Sequence, residues 1–266
     1  MSRYVFASVP FANGTPLAHF LEPLHEEVRT VYARPSDLAA EVIGGAVDAA
    51  LVPVADYFAV GRMAMIHGLG ICADGPVESV LLKCSRPIEQ VRTVCPDPAS
   101  KTSNALCRIL LEDHLHLHPR FTGPAAGEPA DAEVCIGDRA LLAPPAPCGD
   151  YDLAELWKRM TGLPFVFAVW AHRADHPDPV GLRRIAYAAK EAGMAAIDEL
   201  AAAEADRLAL PVDRCRTYLT WVVHYDVGPR ESAAMGLFGQ MLASRASDAA
   251  TDGASLLVKA GGDNGE

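Results

Sequence analysis

Residues 165–170 read Phe-Val-Phe-Ala-Val-Trp, an apolar run with no polar alternation. Alternation marks a strand with one wet face, and its absence over so short a run marks a strand covered on both faces. The run is far too short to cross a bilayer, which takes ~20 residues. A doubly covered strand requires layers above and below it, so the rest of the chain has to supply helices.

It does so in an alternating order. Tyr4–Val9 is rich in β-formers, Asn13-Gly14 makes a turn, and Thr15 and Pro16 read as N-cap and first helical residue. Leu17, Phe20, Leu21 and Leu24 then recur at helical spacing. Strands follow at Val28–Tyr32 and Ala49–Val54, with a helix between them that starts at Ser36-Asp37 and ends at Gly44-Gly45. Further strands are expected at 77–85, 91–95 and 131–136, and helices at 100–115 and 152–160, the latter after a proline-rich loop. Beyond Asp178 the pattern is helical, with breaks expected at Gly193, near Pro211 and at Gly228-Pro229. The last element is expected at 231–242, and the tail after Ser247 reads as mobile. Strands alternating with helices predict an α/β fold with a parallel sheet covered on both faces.

Two long β runs, Ser79–Ser85 and Phe165–Trp170, stand some eighty residues apart with a compact α/β unit between them. That is the pattern of two lobes joined by a pair of crossing strands. One lobe is expected from residues 1–83 together with 170–266, whose C-terminal part is helical, and the other from 84–169.

Composition narrows the function. The formal net charge is −11, which excludes a nucleic-acid surface and leaves any anionic ligand dependent on local donors. Seven cysteines at scattered positions without a C-x-x-C pair predict free thiols in a reducing compartment. No signal-peptide core and no membrane-length apolar run are present, so a cytoplasmic protein without a membrane partner is expected.

Polar turn residues fall at three strand-to-helix junctions: Asn13-Gly14-Thr15, Ser100–Asn104 and Gly137-Asp138. In α/β folds ligands bind at the carboxyl ends of strands, where helix N-termini present free N–H groups. Ser100, Lys101, Thr102 and Ser103 suit a carboxylate or phosphate; ordinary helix capping explains the same residues. His114, His116 and His118 alternate, but no cysteine or acid stands at a metal-site spacing, so a solvated patch is expected. There is no nucleophile elbow, P-loop or dinucleotide fingerprint.

Five segments in order resemble the menaquinone-biosynthesis family that contains chorismate dehydratase and dihydroxynaphthoate synthase. They are N-x-x-P-L at Asn13–Leu17, G-x-V-D-x-A-L-x-P-V at Gly45–Val54, G-x-V-x-S-V-L-L at Gly75–Leu82 and S-x-T-S-x-x-L at Ser100–Leu106. The fifth runs from I-G-D-x-A-L at Ile136–Leu141 through D-L-x-x-x-W to T-G-L-P-F-V-F-A-V-W. A weaker match is Y-L-T at 218–220 with H-Y at 224–225.

The resemblance implies a type II periplasmic-binding-protein-like fold, two α/β lobes joined by two crossover strands around a cleft. It implies dehydration of chorismate, a small dicarboxylate, in the futalosine route to menaquinone, with no metal or organic cofactor. By the same resemblance Asn13 and Ser79 carry catalysis. Ser100, Thr102, Ser103, Asn104, Gly137 and Asp138 bind substrate, with Thr102 and Ser103 on the ring carboxylate. Asp138, an anion beside a dianion, has the alternative of bracing backbone N–H groups. The sibling naphthoate synthases carry a histidine where this chain has Gly137, which favours the dehydratase. The opening segment around Phe11 and the proline-rich loop depart from the family pattern. The rival readings are that sibling activity and a carboxylate-binding protein without catalysis.

Overall fold

The computed structural model describes residues 3–122 and 130–259. The chain opens with β1 (Tyr4–Ser8), α1 (Thr15–Ala18), α2 (Leu21–Leu24), β2 (Val28–Tyr32), α3 (Pro35–Gly44), β3 (Ala49–Pro53), α4 (Val54–Val60) and β4 (Met63–Ala73). A second unit follows: β5 (Val80–Cys84), β6 (Thr93–Cys95), α5 (Lys101–Ile109), β7 (Arg120–Phe121), β8 (Ala132–Ile136), α6 (Gly137–Leu142), β9 (Asp150–Asp152) and α7 (Leu153–Thr161). The chain then returns as β10 (Phe165–Arg173), α8 (Pro179–Ala195), α9 (Ile197–Leu208), α10 (Val212–Thr217), β11 (His224–Asp226) and α11 (Pro229–Lys259).

These strands form two sheets, ordered β11-β4-β10-β3-β1-β2 and β7-β6-β8-β5-β9, so the fold is α/β with two lobes. The expected all-parallel sheet is corrected. β1, β2 and β3 run parallel, but β10 comes back from the second lobe and lies antiparallel to both β3 and β4. The division between lobes also differs from the expected one. β5 pairs along its whole length with β8, so it belongs to the second sheet. β10 pairs along its whole length in the first, and the crossings are the segments before β5 and after α7 rather than those strands themselves.

The unalternating run Phe165–Trp170 is covered on both faces, as its sequence requires. Phe165 meets Trp157 of α7 and Phe238 of α11 edge-to-face, with ring centroids 5.3 and 5.1 Å away. Trp170 meets Phe6 of β1 at 5.4 Å. Such aromatic pairs add about 0.5–1.5 kcal/mol each beyond the area they bury. The Trp157 indole N–H donates to the Pro164 carbonyl at 2.9 Å, which fixes the turn that launches β10.

β4, eleven residues long, went unread in the sequence because Gly68 and Gly70 interrupt its pattern. Both glycines are needed. A Cβ at Gly70 would press on the Ala168 carbonyl oxygen at 2.6 Å, and one at Gly68 would overlap the Tyr187 hydroxyl. Thr15 is not a cap. It is already helical, and its hydroxyl donates to Glu204 at 2.6 Å. α11 continues past the expected end at 242 through an alanine-rich stretch of high helix propensity. The far end of the tail expected to be mobile, 260–266, lies outside the described residues.

Gly193 breaks no helix either; α8 runs through it to Ala195. A Cβ there would overlap the carbonyl oxygen of Pro16, so this glycine lets α1 lie directly against α8. Gly193→Ala gains about 1 kcal/mol of helix propensity. Against that gain stands overpacking against backbone, which costs about 1–3 kcal/mol or more. The overlap wins because a backbone carbonyl cannot rotate aside. A melting temperature about 3–8 °C below wild type is expected by calorimetry.

All seven cysteines are free, and five of them are buried. Among the described residues no helix is long and apolar enough to cross a membrane, and no group of His, Cys, Asp or Glu converges to hold a metal ion.

Candidate active site

The lobes close on a cavity of about 480 Å³, counting space open to solvent. That lies within the ~300–1,000 Å³ usual for small-molecule sites. Its walls are apolar: Val9, Leu51, Ile71 and Phe167 from the first lobe, Val80 and Ile136 from the second. The polar lining is Asn13 on one side and Ser100, Thr102 and Ser103 on the other, with Gly137 at the junction.

Ser100 caps α5. Its Oγ accepts from the Ser103 backbone N–H at 3.1 Å and stands 2.9 Å from the Ser103 hydroxyl. Capping does not use up the helix start, because it leaves the N–H groups of Lys101 and Thr102 in the first turn without an intrahelical acceptor. Ser100, Thr102 and Ser103 are all buried. The Thr102 hydroxyl accepts from the Ala55 N–H of α4 at 3.0 Å, and Lys101 pairs with the buried Asp56 at 2.7 Å. Helix starts from opposite lobes are thereby tied together beside the cavity.

A second tie closes the other side. Asp138 accepts from the Ala12 backbone N–H at 3.0 Å and from Arg207 at 2.7 Å, and Arg207 also holds Glu204. Each Asp138 oxygen thus braces a neighbouring element, and the residue is not among those lining the cavity. Asn104 does not line the cavity either. Its amide accepts from the Asp97 N–H at 2.9 Å and donates to the Asp97 carbonyl at 2.7 Å, away from the cavity.

Gly137 has φ +62°, and a Cβ there would meet the Phe11 ring at 2.9 Å. Phe11 lies in the segment that departs from the family pattern, and its ring closes over the junction that the glycine leaves bare.

Asn13 reaches the cavity from a short turn, Ala12–Gly14, and its Oδ1 is buried without a partner. Ser79, by contrast, is fully buried and does not line the cavity. It sits at the end of a tight turn: its N–H donates to the Val77 carbonyl at 2.7 Å, and Glu78 takes φ +60°. The Ser79 carbonyl accepts from the Gly137 N–H at 2.8 Å, while its hydroxyl accepts from Tyr218 at 2.8 Å. Burial pushes the Tyr218 phenol well up, although the neighbouring Ser79 and Asn13 side chains pull the other way. It is neutral at any physiological pH.

The sequence of the chain matches one family over most of its length. The model of a family described as menaquinone biosynthesis matches residues 4–244. The chain belongs to the menaquinone-biosynthesis family. A protein named chorismate dehydratase from Thermus thermophilus is 30% identical, over 91% of this chain and 96% of its own. Another of that name, from Campylobacter jejuni, is 30% identical over 62% of this chain and 65% of its own. Solved structures share the two-lobed fold. A solved Archaeoglobus fulgidus protein superposes with TM-score 0.70 at 17% identity, covering 91% of this chain and 97% of that one. The periplasmic aliphatic sulphonate binding protein of Escherichia coli superposes with TM-score 0.61 at 14% identity, covering 91% and 87%. The fold is therefore the periplasmic-binding-protein type expected.

Tyr218, Glu204, Arg207 and Phe11 were not assigned to the site from the sequence. Only Tyr218 carried any signal, as part of the weak Y-L-T match.

Proposed function

We propose that this chain is a cytoplasmic chorismate dehydratase of the futalosine route, converting chorismate to 3-[(1-carboxyvinyl)oxy]benzoate. The observation that carries this reading is the bare junction at Gly137. A left-handed backbone under the Phe11 ring leaves no room for an imidazole, so the base that the sibling activity places there has no seat. The reaction left to the cavity is one that needs positioning more than a protein base.

The elimination fits that demand. The C3 proton passes to the substrate's own enolpyruvyl carboxylate, and the C3–H electron pair becomes a ring π bond. The C4–O bond breaks toward oxygen, and the leaving hydroxide takes up the proton now on that carboxyl group, giving water and restoring the carboxylate. Aromatisation drives the sum downhill. The protein holds the ring carboxylate on the free N–H groups that open α5, excludes water with apolar walls, and fixes the C4 hydroxyl at Asn13.

Incubation of the purified protein with chorismate tests the reading. Dienyl absorbance should fall while mass spectrometry shows a product lighter by one water. Chorismate that stays intact while calorimetry shows it bound would leave a carboxylate-binding protein and end the enzyme reading.

A further inference from the structure

The short segment that brings Asn13 to the cavity is held at both ends by acids, and one guanidinium holds both acids. At the near end the Ala12 backbone N–H donates to Asp138 Oδ1 at 3.0 Å. At the far end the Thr15 hydroxyl donates to Glu204 Oε1 at 2.6 Å. Arg207 of α9 closes the circuit: a terminal nitrogen donates to Asp138 Oδ2 at 2.7 Å, and its Nε donates to Glu204 Oε2 at 2.7 Å. Asp138 opens α6 in the second lobe, whereas Asn13, Glu204 and Arg207 belong to the first. The circuit is therefore complete only with the lobes together. Arg207 does not line the cavity, and 45% of its side chain is exposed, but the two acids it serves are only 16% and 10% exposed. A fully exposed ion pair contributes little. A guanidinium shared by two largely buried carboxylates differs, because its loss leaves both charges uncompensated and repelling one another.

We infer that Arg207 is a positioning residue for the reaction: by pinning Asp138 and Glu204 at once, it sets both ends of the segment from Ala12 to Thr15, and with them the place of Asn13 at the cavity, as the lobes come together. The inference rests on the dehydratase reading, in which Asn13 meets the hydroxyl at ring C4. The requirement is for a fork and not merely for a positive charge. Two different nitrogens of one rigid, planar group reach two acids that come from different lobes. A lysine supplies the charge from a single nitrogen on a flexible stem, and so leaves one end of the segment less well fixed.

Arg207→Lys tests this, since it keeps the charge and removes the fork. Its kcat for chorismate should drop about 10- to 100-fold, the loss that a small displacement of an aligned group produces. KM should stay within about threefold, because the walls and the start of α5 are untouched. Affinity for the product, which has no ring hydroxyl, should be unchanged by calorimetry. Arg207→Ala, which empties the place of the guanidinium, should lose at least as much turnover. Guanidinium ion added at millimolar concentration should raise the kcat of that variant several-fold, and sodium ion at the same concentration should not. An Arg207→Lys enzyme at wild-type kcat would overturn the inference. So would product affinity that falls in step with turnover, which means general damage, or an Arg207→Ala enzyme that responds to guanidinium no better than to sodium. Wild-type protein inert toward chorismate would bring down the dehydratase reading and this one together, whereas an active wild type matched by Arg207→Lys brings down this one alone.

Discussion

Replacing Asn13 by Ala is expected to lower kcat for chorismate about 10²- to 10³-fold, the usual cost of losing one polar group aligned on a reacting centre. KM and the calorimetric Kd should stay within a few-fold, because substrate affinity comes from the apolar walls and the start of α5. The backbone around Asn13 does not depend on its side chain. Ala12 is held by Asp138 at 3.0 Å, Thr15 by Glu204 at 2.6 Å, and the Gly14 N–H by the Phe11 carbonyl at 2.9 Å. The variant should therefore melt close to wild type. Steady-state kinetics beside calorimetry separates the cases: equal losses of turnover and binding would show that Asn13 merely holds substrate. Asn13→Asp sharpens the contrast. It keeps the shape but sets a carboxylate against a dianion, and it should weaken binding where Asn13→Ala does not.

What could be read from the sequence was whatever one element displays along itself. The period of Leu17, Phe20, Leu21 and Leu24 marks a helix wherever it packs, and the unalternating Phe165–Trp170 demands two covers regardless of what supplies them. Ser100 signals a helix start because its cap reaches only to Ser103, three residues on. Strand direction was beyond such signals. β10 carries the composition of a parallel strand because burial on both faces sets that composition, whichever way the neighbours run.

The site's wiring was still less legible, since its bonds close between lobes. Tyr218 and Ser79 are 139 residues apart, and Arg207 and Asp138 are 69 apart. No local period records such pairs. Asp138 illustrates the difficulty: nothing local to the junction announces that its partners are Ala12 and Arg207, 126 and 69 residues away. Asn104 shows the converse, a residue adjacent to three lining residues whose own side chain is occupied by Asp97.

Asp152→Ala is expected to cost more stability than any other single change at the site, although Asp152 never touches the cavity. One carboxylate oxygen caps α7, accepting from the Ala154 and Glu155 N–H groups at 3.0 and 3.1 Å. The other accepts from the Val77 and Glu78 N–H groups at 2.9 and 2.7 Å. Asp152 thus fastens the turn that enters the second lobe to the helix that leaves it. Glu78 needs that support, because a left-handed φ at a residue with a side chain costs about 1 kcal/mol or more. Burial raises the Asp152 pKa, and the four N–H groups oppose that rise. Removing the carboxyl relieves the burial cost but loses a cap, about 1 kcal/mol, and strands two further N–H groups at about 1 kcal/mol or more each. The net should be about 2–4 kcal/mol, seen as a melting temperature lower by about 5–15 °C. The released turn carries Ser79, so the Tyr218 hydroxyl loses its acceptor. Turnover at a temperature where the variant is still folded should then fall about tenfold, the cost of one hydrogen bond lost beside the site. A variant that melts early yet turns over chorismate at the wild-type rate would show that the turn holds the lobes together and leaves the chemistry to Asn13 alone.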